Sequence, residues 1–307
     1  MLVVDETNPV HGMPKASKIR EALARIPFIV SVGSFVDDTS AMADLILPDH
    51  SFLESWVDRT PESGSIEAVT TVAGPMMKPL YQTRATADVL IEAAGKLKSP
   101  IALPWKSAEE LAKSVEPIRN PPSAVRKSES AVGNPQSAMR YAEPVFDGDA
   151  AQYPFHFLPY VSQQFGDGSA AHLPWLQEMP DPLTSAMWSS WVEINPQTAD
   201  RLHITQGDVV EIASAHGTVR APAVIVPGIA PDVVAMPVGQ GHEPFTRYAS
   251  GRGSNPMAIV APAREGTTGA LAWAATRVKL TRAGDRDGSL ILFAGEMREH
   301  PHEHDTR

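Results

Sequence analysis

The chain contains no cysteine in 307 residues. That excludes disulfides, thiolate zinc sites, cysteine nucleophiles and a cysteine-ligated iron–sulfur cluster within it, and leaves the redox compartment unread. Any one-electron relay therefore has to sit in another segment or another subunit. Basic residues are also in deficit, 26 Lys and Arg against 36 Asp and Glu, for a formal charge of −10. They are scattered and form no stripe, which excludes nucleic acid as a partner, because phosphate binding needs a basic face. The acidic balance fits solubility or a basic protein partner. No run approaches the roughly 18–20 apolar residues that span a bilayer. The start of the sequence lacks the charged and apolar regions of a signal peptide. Several catalytic templates are missing as well: there is no G-x-S-x-G, no H-E-x-x-H and no P-loop. Gly251-x-Gly253 does not sit in a nicotinamide-binding strand–turn–helix, because Pro256 follows at once.

What is present is an ordinary globular composition, 43% apolar and 20% charged, long enough for two domains. Residues 1–98 read as α/β. Leu2-Val3-Val4 opens as a strand with no lead-in, which suggests an incomplete N-terminus, and Asn8-Pro9 follows as a turn. Helical spacing of Ile19, Ala22, Leu23 and Ile26 predicts a helix over about 15–24. Residues 28–32 form a short apolar run of the buried parallel kind. A short helix is expected over 39–43, capped by Asp38 or Thr39, then a strand at 45–47 that Pro48 stops. Ala87, Leu90, Ile91 and Ala94 along one face predict a helix over 86–97. Residues 99–150 are rich in Pro, Ser, Asn and Lys and read as a linker or surface excursion, with one helix at 107–115.

From Tyr153 the pattern turns to short strands between Gly and Pro turns, as a small closed barrel requires. Strands are expected at 191–194, 209–212, 218–226, 233–236 and 275–282. Asn195-Pro196 caps a helix running to Leu202, and His216-Gly217 makes a tight hairpin.

The segment 191–240 carries an NPxTA cap, an I-x-x-G-D-x-V turn, an S-x-x-G hairpin and a late Pro-Asp turn, in that order. In this combination it resembles the C-terminal double-psi β-barrel of the molybdopterin oxidoreductase superfamily that includes dimethyl sulfoxide reductase. Upstream, Asn8-Pro9, the run from Asp37 to Pro48 and Glu54 resemble that superfamily's third, Rossmann-like domain. The stretch from Pro174 to Pro182 and the segment Gly251-Arg252-Gly253-Ser254-Asn255-Pro256 resemble a narrower branch. That branch holds the large subunits of alternative complex III and related polysulfide- or menaquinone-reductase-like subunits.

The resemblance implies a fold class and a layout: an α/β Rossmann-like partial domain at 1–98, a linker at 99–150, a double-psi barrel at 151–285 and a tail at 286–307. It implies an oxidoreductase large-subunit fragment of a respiratory electron-transfer complex, inactive alone. As cofactor it implies molybdopterin guanine dinucleotide, with no iron–sulfur cluster in this chain. Asn8, Asp37, Asp38, Thr39, Gln240, His242, Arg252 and Asn255 would face it, with glycines at 239, 241, 251 and 253 letting backbone approach. No catalytic residue and no metal ligand are assigned. Implied partners are an iron–sulfur subunit or domain, a quinol-interacting membrane subunit and a cytochrome c, in a membrane-associated complex on the periplasmic face. The alternative is a cofactor-less structural subunit, because the alternative complex III branch keeps this fold without the molybdenum cofactor. The bland readings stand beside these: turn residues that close a barrel, Asp37 and Asp38 as helix caps, and His172, His203 and His216 as structural. A tail metal site at His300, His302 and His304 is weighed against a solvated terminus. An aspartate-decarboxylase-like barrel enzyme has Gly64-Ser65 as its only candidate for a self-cleaving step, outside the barrel.

Overall fold

The computed structural model describes residues 1–59, 69–114, 144–266 and 268–293. Gly64-Ser65, the bulk of the Pro-rich stretch and the tail histidines lie outside the described residues. Two compact units emerge. One comprises Met1–Glu6, Phe28–Phe35 and Ala43–Pro144; the other comprises Thr7–Pro27, Val36–Met42 and Val145–Arg307.

The first unit is built on a parallel three-stranded sheet, β1 (Leu2–Asp5), β2 (Ile29–Val32) and β3 (Leu45–Leu47), with β2 in the centre. The central strand is buried at all its positions, as a continuous Ile-Val-Ser-Val run requires of a strand covered on both faces. A ribbon of β4 (Val57–Arg59) and β5 (Thr71–Ala73) follows, antiparallel. The helix expected over 86–97 forms as Thr86–Gly95, and none of its residues is fully buried. The helix expected over 107–115 forms as Ala108–Lys113, where the Ser107 hydroxyl accepts from the Glu110 N–H at the N-cap.

The second unit holds α1 (Pro9–Gly12) and α2 (Ile19–Leu23). The single helix expected over 15–24 is broken. A 3₁₀ turn spans Lys15–Ser17, then Lys18 takes φ 54 and only Leu23 of α2 is buried. A left-handed residue interrupts the i→i−4 ladder, and few apolar side chains are there to hold the helix through packing. The short helix expected at 39–43 is a 3₁₀ turn at Ser40–Met42. Asp37 caps it rather than Asp38 or Thr39: its Oδ1 accepts from the Thr39 and Ser40 N–H groups at 3.0 and 2.7 Å.

Numbering the helices in order, Thr86–Gly95 is α3 and Ala108–Lys113 is α4. The second unit adds α5 (Pro174–Glu178), α6 (Pro196–Leu202) and α7 (Thr246–Ala249). Its strands are β6 (Phe155–Val161), β7 (Ala186–Met187), β8 (Val192–Ile194), β9 (Val209–Ser214), β10 (Gly217–Ile225), β11 (Val233–Val238), β12 (Arg277–Gly284) and β13 (Ile291–Leu292). Six of them close a barrel in the order β10-β8-β11-β6-β12-β9. Two pairs are parallel (β10 with β8, β11 with β6) and the other four antiparallel, so the chain crosses the barrel instead of meandering. Period-2 alternation sends Phe157, Val192, Ile194, Val210, Ile212, Val234, Met236 and Val278 inward, each with 0% exposure. These eight side chains form a dry core, worth roughly 1.5–3 kcal/mol each.

The expected cap on α6 is present. Asn195 accepts from the Gln197 N–H at 2.8 Å and donates to the Ile229 carbonyl, while Thr198 donates to the Pro231 carbonyl. One helix start thus pins the turn before β11. At the expected Gly-Asp turn, Gly207 has φ 83, and buried Asp208 accepts from the Thr205 N–H and from Arg282.

Candidate functional site

Four short segments of the barrel unit meet in space: the start of α1, the turn at 37–40, the loop after β11 and the loop at 250–255. Their junction is Asp38, which is 3% exposed. Its Oδ2 accepts from His242 Nδ1 at 2.7 Å and from Asn8 Nδ2 at 3.0 Å, and its Oδ1 accepts from the Glu243 N–H at 2.7 Å. Burial alone pushes the Asp38 carboxyl up. The three donors outweigh that and hold it well below the usual carboxylate range. Asn8 stands at the N-cap position of α1 without capping it. Its Oδ1 instead accepts from the Thr39 hydroxyl at 2.8 Å, and the Thr39 oxygen accepts from the Val10 N–H. Asn8, Asp38, Thr39 and His242 are therefore one network.

His11, which carries no signal in a sequence reading, is the fifth member. It is 5% exposed and stacks on His242 with ring centroids 3.6 Å apart and an interplanar angle of 11°. Asn255 fixes its tautomer. The Asn255 Oδ1 accepts from the Met257 N–H, so its Nδ2 faces His11, donating to the His11 carbonyl at 2.8 Å and to Nδ1 at 3.1 Å. His11 Nε2 is then the protonated nitrogen. Burial first, and the neighbouring His242 second, push the His11 imidazole down to about 4 against the opposing pull of Asp38 and Asp167. His11 is neutral at pH 7. His242 gives its Nδ1–H to Asp38, and its buried Nε2 has no hydrogen-bond partner among the described residues.

The remaining expected residues divide. Asp37 is half-buried in its own turn. Gln240 points inward, donating from Nε2 to Gln177 Oε1 at 2.8 Å. Arg252 lays its guanidinium over the Trp188 ring at 4.6 Å, and its carbonyl accepts from the Gly241 N–H. The close approaches are real: a Cβ on Gly241 would stand 2.2 Å from the Asn255 nitrogen, and one on Gly253 2.8 Å from Ser190. A Cβ on Gly168 would stand 3.0 Å from both His11 Nε2 and His242 Nε2.

His11, Asp38 and His242 offer ligand atoms all within 4.8 Å of one another. A metal lies in the plane of each imidazole that binds it. Two nearly parallel planes 3.6 Å apart share no such point, and the Asp38 oxygen nearest both rings, Oδ2, already accepts two hydrogen bonds. The arrangement is a hydrogen-bonded clamp on four loops. It borders a cavity of about 320 Å³ whose lining includes His11, Thr7, Asp167, Val238, Met257 and Trp273.

Residues 177–275 match the family model described as the Molydopterin dinucleotide binding domain. The chain is 29% identical over 294 residues to the menaquinone reductase molybdopterin-binding-like subunit of Nitratidesulfovibrio vulgaris, covering 92% of this chain and 42% of that protein. It is 30% identical over 113 residues to the arsenate respiratory reductase molybdopterin-containing subunit of a Shewanella species, covering 36% of this chain and 13% of that one. Among solved structures, acetylene hydratase from Pelobacter acetylenicus superposes with a TM-score of 0.68 at 14% identity, over 92% of this chain and 44% of that chain. The chain thus spans under half the length of these proteins.

Proposed function

We propose, from the premise that this chain belongs to the molybdopterin oxidoreductase superfamily and corresponds to the C-terminal part of its large subunits, that it supplies part of the cradle for molybdopterin guanine dinucleotide. The barrel at 151–285 is read as the double-psi type, the segment 1–98 as the Rossmann-like domain, and 99–150 as the link. The observation that carries the proposal is the Asp38 junction, which binds loops from both ends of the sequence beside a cavity.

The residues fit such a group. Glycines at 168, 239 and 241 keep side chains away from the loops, and His242 Nε2 is a buried polar atom with no hydrogen-bond partner among the described residues. When bound, the cofactor supplies the redox centre through which electrons pass. The chain's own work is positional. Asp38 holds the proton on His242 Nδ1, while Asn255 keeps the His11 proton on Nε2. Arg252, Asn255 and the 240–243 loop would line the ligand, with Gln240 bracing that loop from inside through Gln177.

The parent subunit is read as part of a membrane-associated respiratory complex on the periplasmic face. Its partners would be an iron–sulfur subunit or domain, a quinol-interacting membrane subunit and a cytochrome c. Among the described residues no helix is long and apolar enough to cross a membrane. A cofactor-less structural subunit is the second reading. It is favoured by one observation: among the described residues the cavity lining contains Asp167 but no Lys or Arg to meet a diphosphate. The test is the protein purified from its native host, oxidised to release fluorescent pterin and assayed for guanosine monophosphate. Stoichiometric pterin is the outcome expected of the cradle; a pterin-free preparation establishes the structural subunit instead.

A further inference from the structure

We propose that a second cleft, at the opposite end of the barrel and lined by Arg201 and Lys279, binds a small organic carboxylate with an apolar body. It lies wholly within the second unit and apart from the cofactor cradle. β6 and β11 run parallel and end in the loops that carry Gly168 and His242. They begin beside this cleft, at Phe155 and at the Pro231-Asp232 turn. The seven residues of β6 thus separate the two sites by roughly 20 Å.

Topology opens the cleft. β12 pairs with β6 at Arg277 and Val278 and then runs on against β9. Between the start of β6 and Leu280 the wall is completed by the end of α6 and the turn before β11, and a cavity of about 550 Å³ lies there. That is inside the range of roughly 300–1,000 Å³ for small-molecule sites, which favour the mouths of barrels. Phe155 and Leu280, both members of the barrel core, and Leu202, packed against that core, give the cavity an apolar floor.

Charge then selects the ligand. In a chain of formal charge −10, this lining carries two cations against one carboxylate, Asp232. Arg20, Arg84, Arg220 and Arg282 each meet a carboxylate of the chain. Among the described residues Arg201 and Lys279 meet none. Arg201 instead lays its guanidinium over the Phe155 ring, 5.6 Å from the centroid. Asp149, just before the lining residue Ala151, is engaged by its own loop, where its Oδ1 accepts from the Ala151 and Gln152 N–H groups. A carboxylate in the cleft therefore gains charge-assisted hydrogen bonds, and an apolar body gains burial on the floor. An inorganic anion has the first without the second, a neutral ring the second without the first.

The test is equilibrium dialysis of the full chain against 2-naphthoate, 2-naphthamide, 2-naphthylmethylamine and inorganic phosphate. The naphthoate should bind about tenfold tighter than each of the other three. Arg201→Met, which keeps an apolar stem on Phe155, and Lys279→Met should each weaken naphthoate roughly threefold or more, the size of an exposed ion pair, and leave naphthamide unchanged. Asp232→Asn should tighten naphthoate, because it removes the one opposing charge of the lining. Should Arg201→Met misfold, Lys279→Met and Asp232→Asn must still move the affinity in opposite directions. Naphthoate that does not bind, naphthamide or phosphate that binds as tightly, or variants that leave the naphthoate affinity as it is would overturn the proposal.

Discussion

Asp38 and His242 stand 204 residues apart in the chain and meet at 2.7 Å, both almost wholly buried. The contact joins the turn after β2 to the loop after β11, and the same carboxylate also holds Asn8 and the Glu243 N–H. Three donors on one buried anion form a network whose loss is felt at every partner.

Asp38→Ala should therefore strand several buried donors at once. At roughly 1–3 kcal/mol for a buried group left unpaired, a loss of about 3 kcal/mol of unfolding free energy is expected. Arg20→Ala breaks the nearby Arg20–Glu243 pair, whose side chains are 49% and 73% exposed, and should cost under about 1 kcal/mol. Urea midpoints of the two variants check the contrast; equal losses would mean that the buried network adds nothing.

The His11 imidazole, pushed down to about 4 from 6.5, gives the fold a pH dependence of known sign. The folded state disfavours the proton that the unfolded chain accepts, so this contribution is complete above pH 6.5 and falls as pH drops toward 4. That difference amounts to about 3 kcal/mol at most. Asp38 contributes in the same direction at lower pH, because its folded carboxyl lies below its unfolded value. His11→Gln should flatten the stability profile between pH 6.5 and 5 by about one proton, read from urea titrations at each pH. A slope unchanged in that variant would assign the dependence to other groups.

How much of this was legible in the sequence follows from the range of the forces. The α6 cap at Asn195, the Gly207-Asp208 turn and the barrel alternation were readable because each is set by residues a few positions apart. The helix over 15–24 was misread because spacing alone does not register the left-handed Lys18. Of the cap candidates at this turn, Asp37 is the one that caps it, and Asp38, also expected to face the cofactor, reaches His242 instead. His11 was invisible: its partners His242 and Asn255 lie more than two hundred residues on, and no local pattern encodes a stack. Gln240 faces inward because Gln177, on α5 and 63 residues away, supplies an amide partner that no local pattern locates.

Gly241 is held by two independent constraints, a φ of +83° and a backbone nitrogen 2.2 Å from where a Cβ would be. Relief would require moving the Asn255 backbone, and with it the cap that orients His11. Gly241→Ala should cost about 3 kcal/mol or more, in the range of overpacking plus left-handed strain. Gly228→Ala, at an exposed position with nothing within 4 Å, should change stability by less than about 1 kcal/mol. Thermal midpoints of the pair decide it.

Glu193 on β8 is a carboxylate, 9% exposed, whose Oε1 accepts from two neutral donors, the Tyr160 hydroxyl and Trp191 Nε1. Burial, and then the bond to Glu193, push the Tyr160 phenol far above its usual value. Because the folded value is raised, the stabilisation is complete below pH 10 and is lost only as pH climbs toward the folded value. Tyr160→Phe removes one of two donors from a buried anion, which should cost about 2–3 kcal/mol. Glu193→Gln in the same background should recover part of that loss, since a neutral amide needs less compensation in a dry site. A double-mutant cycle by urea unfolding gives the coupling directly. A coupling near zero would mean that Tyr160 and Glu193 are neighbours without an energetic bond, and that water meets the Glu193 charge instead.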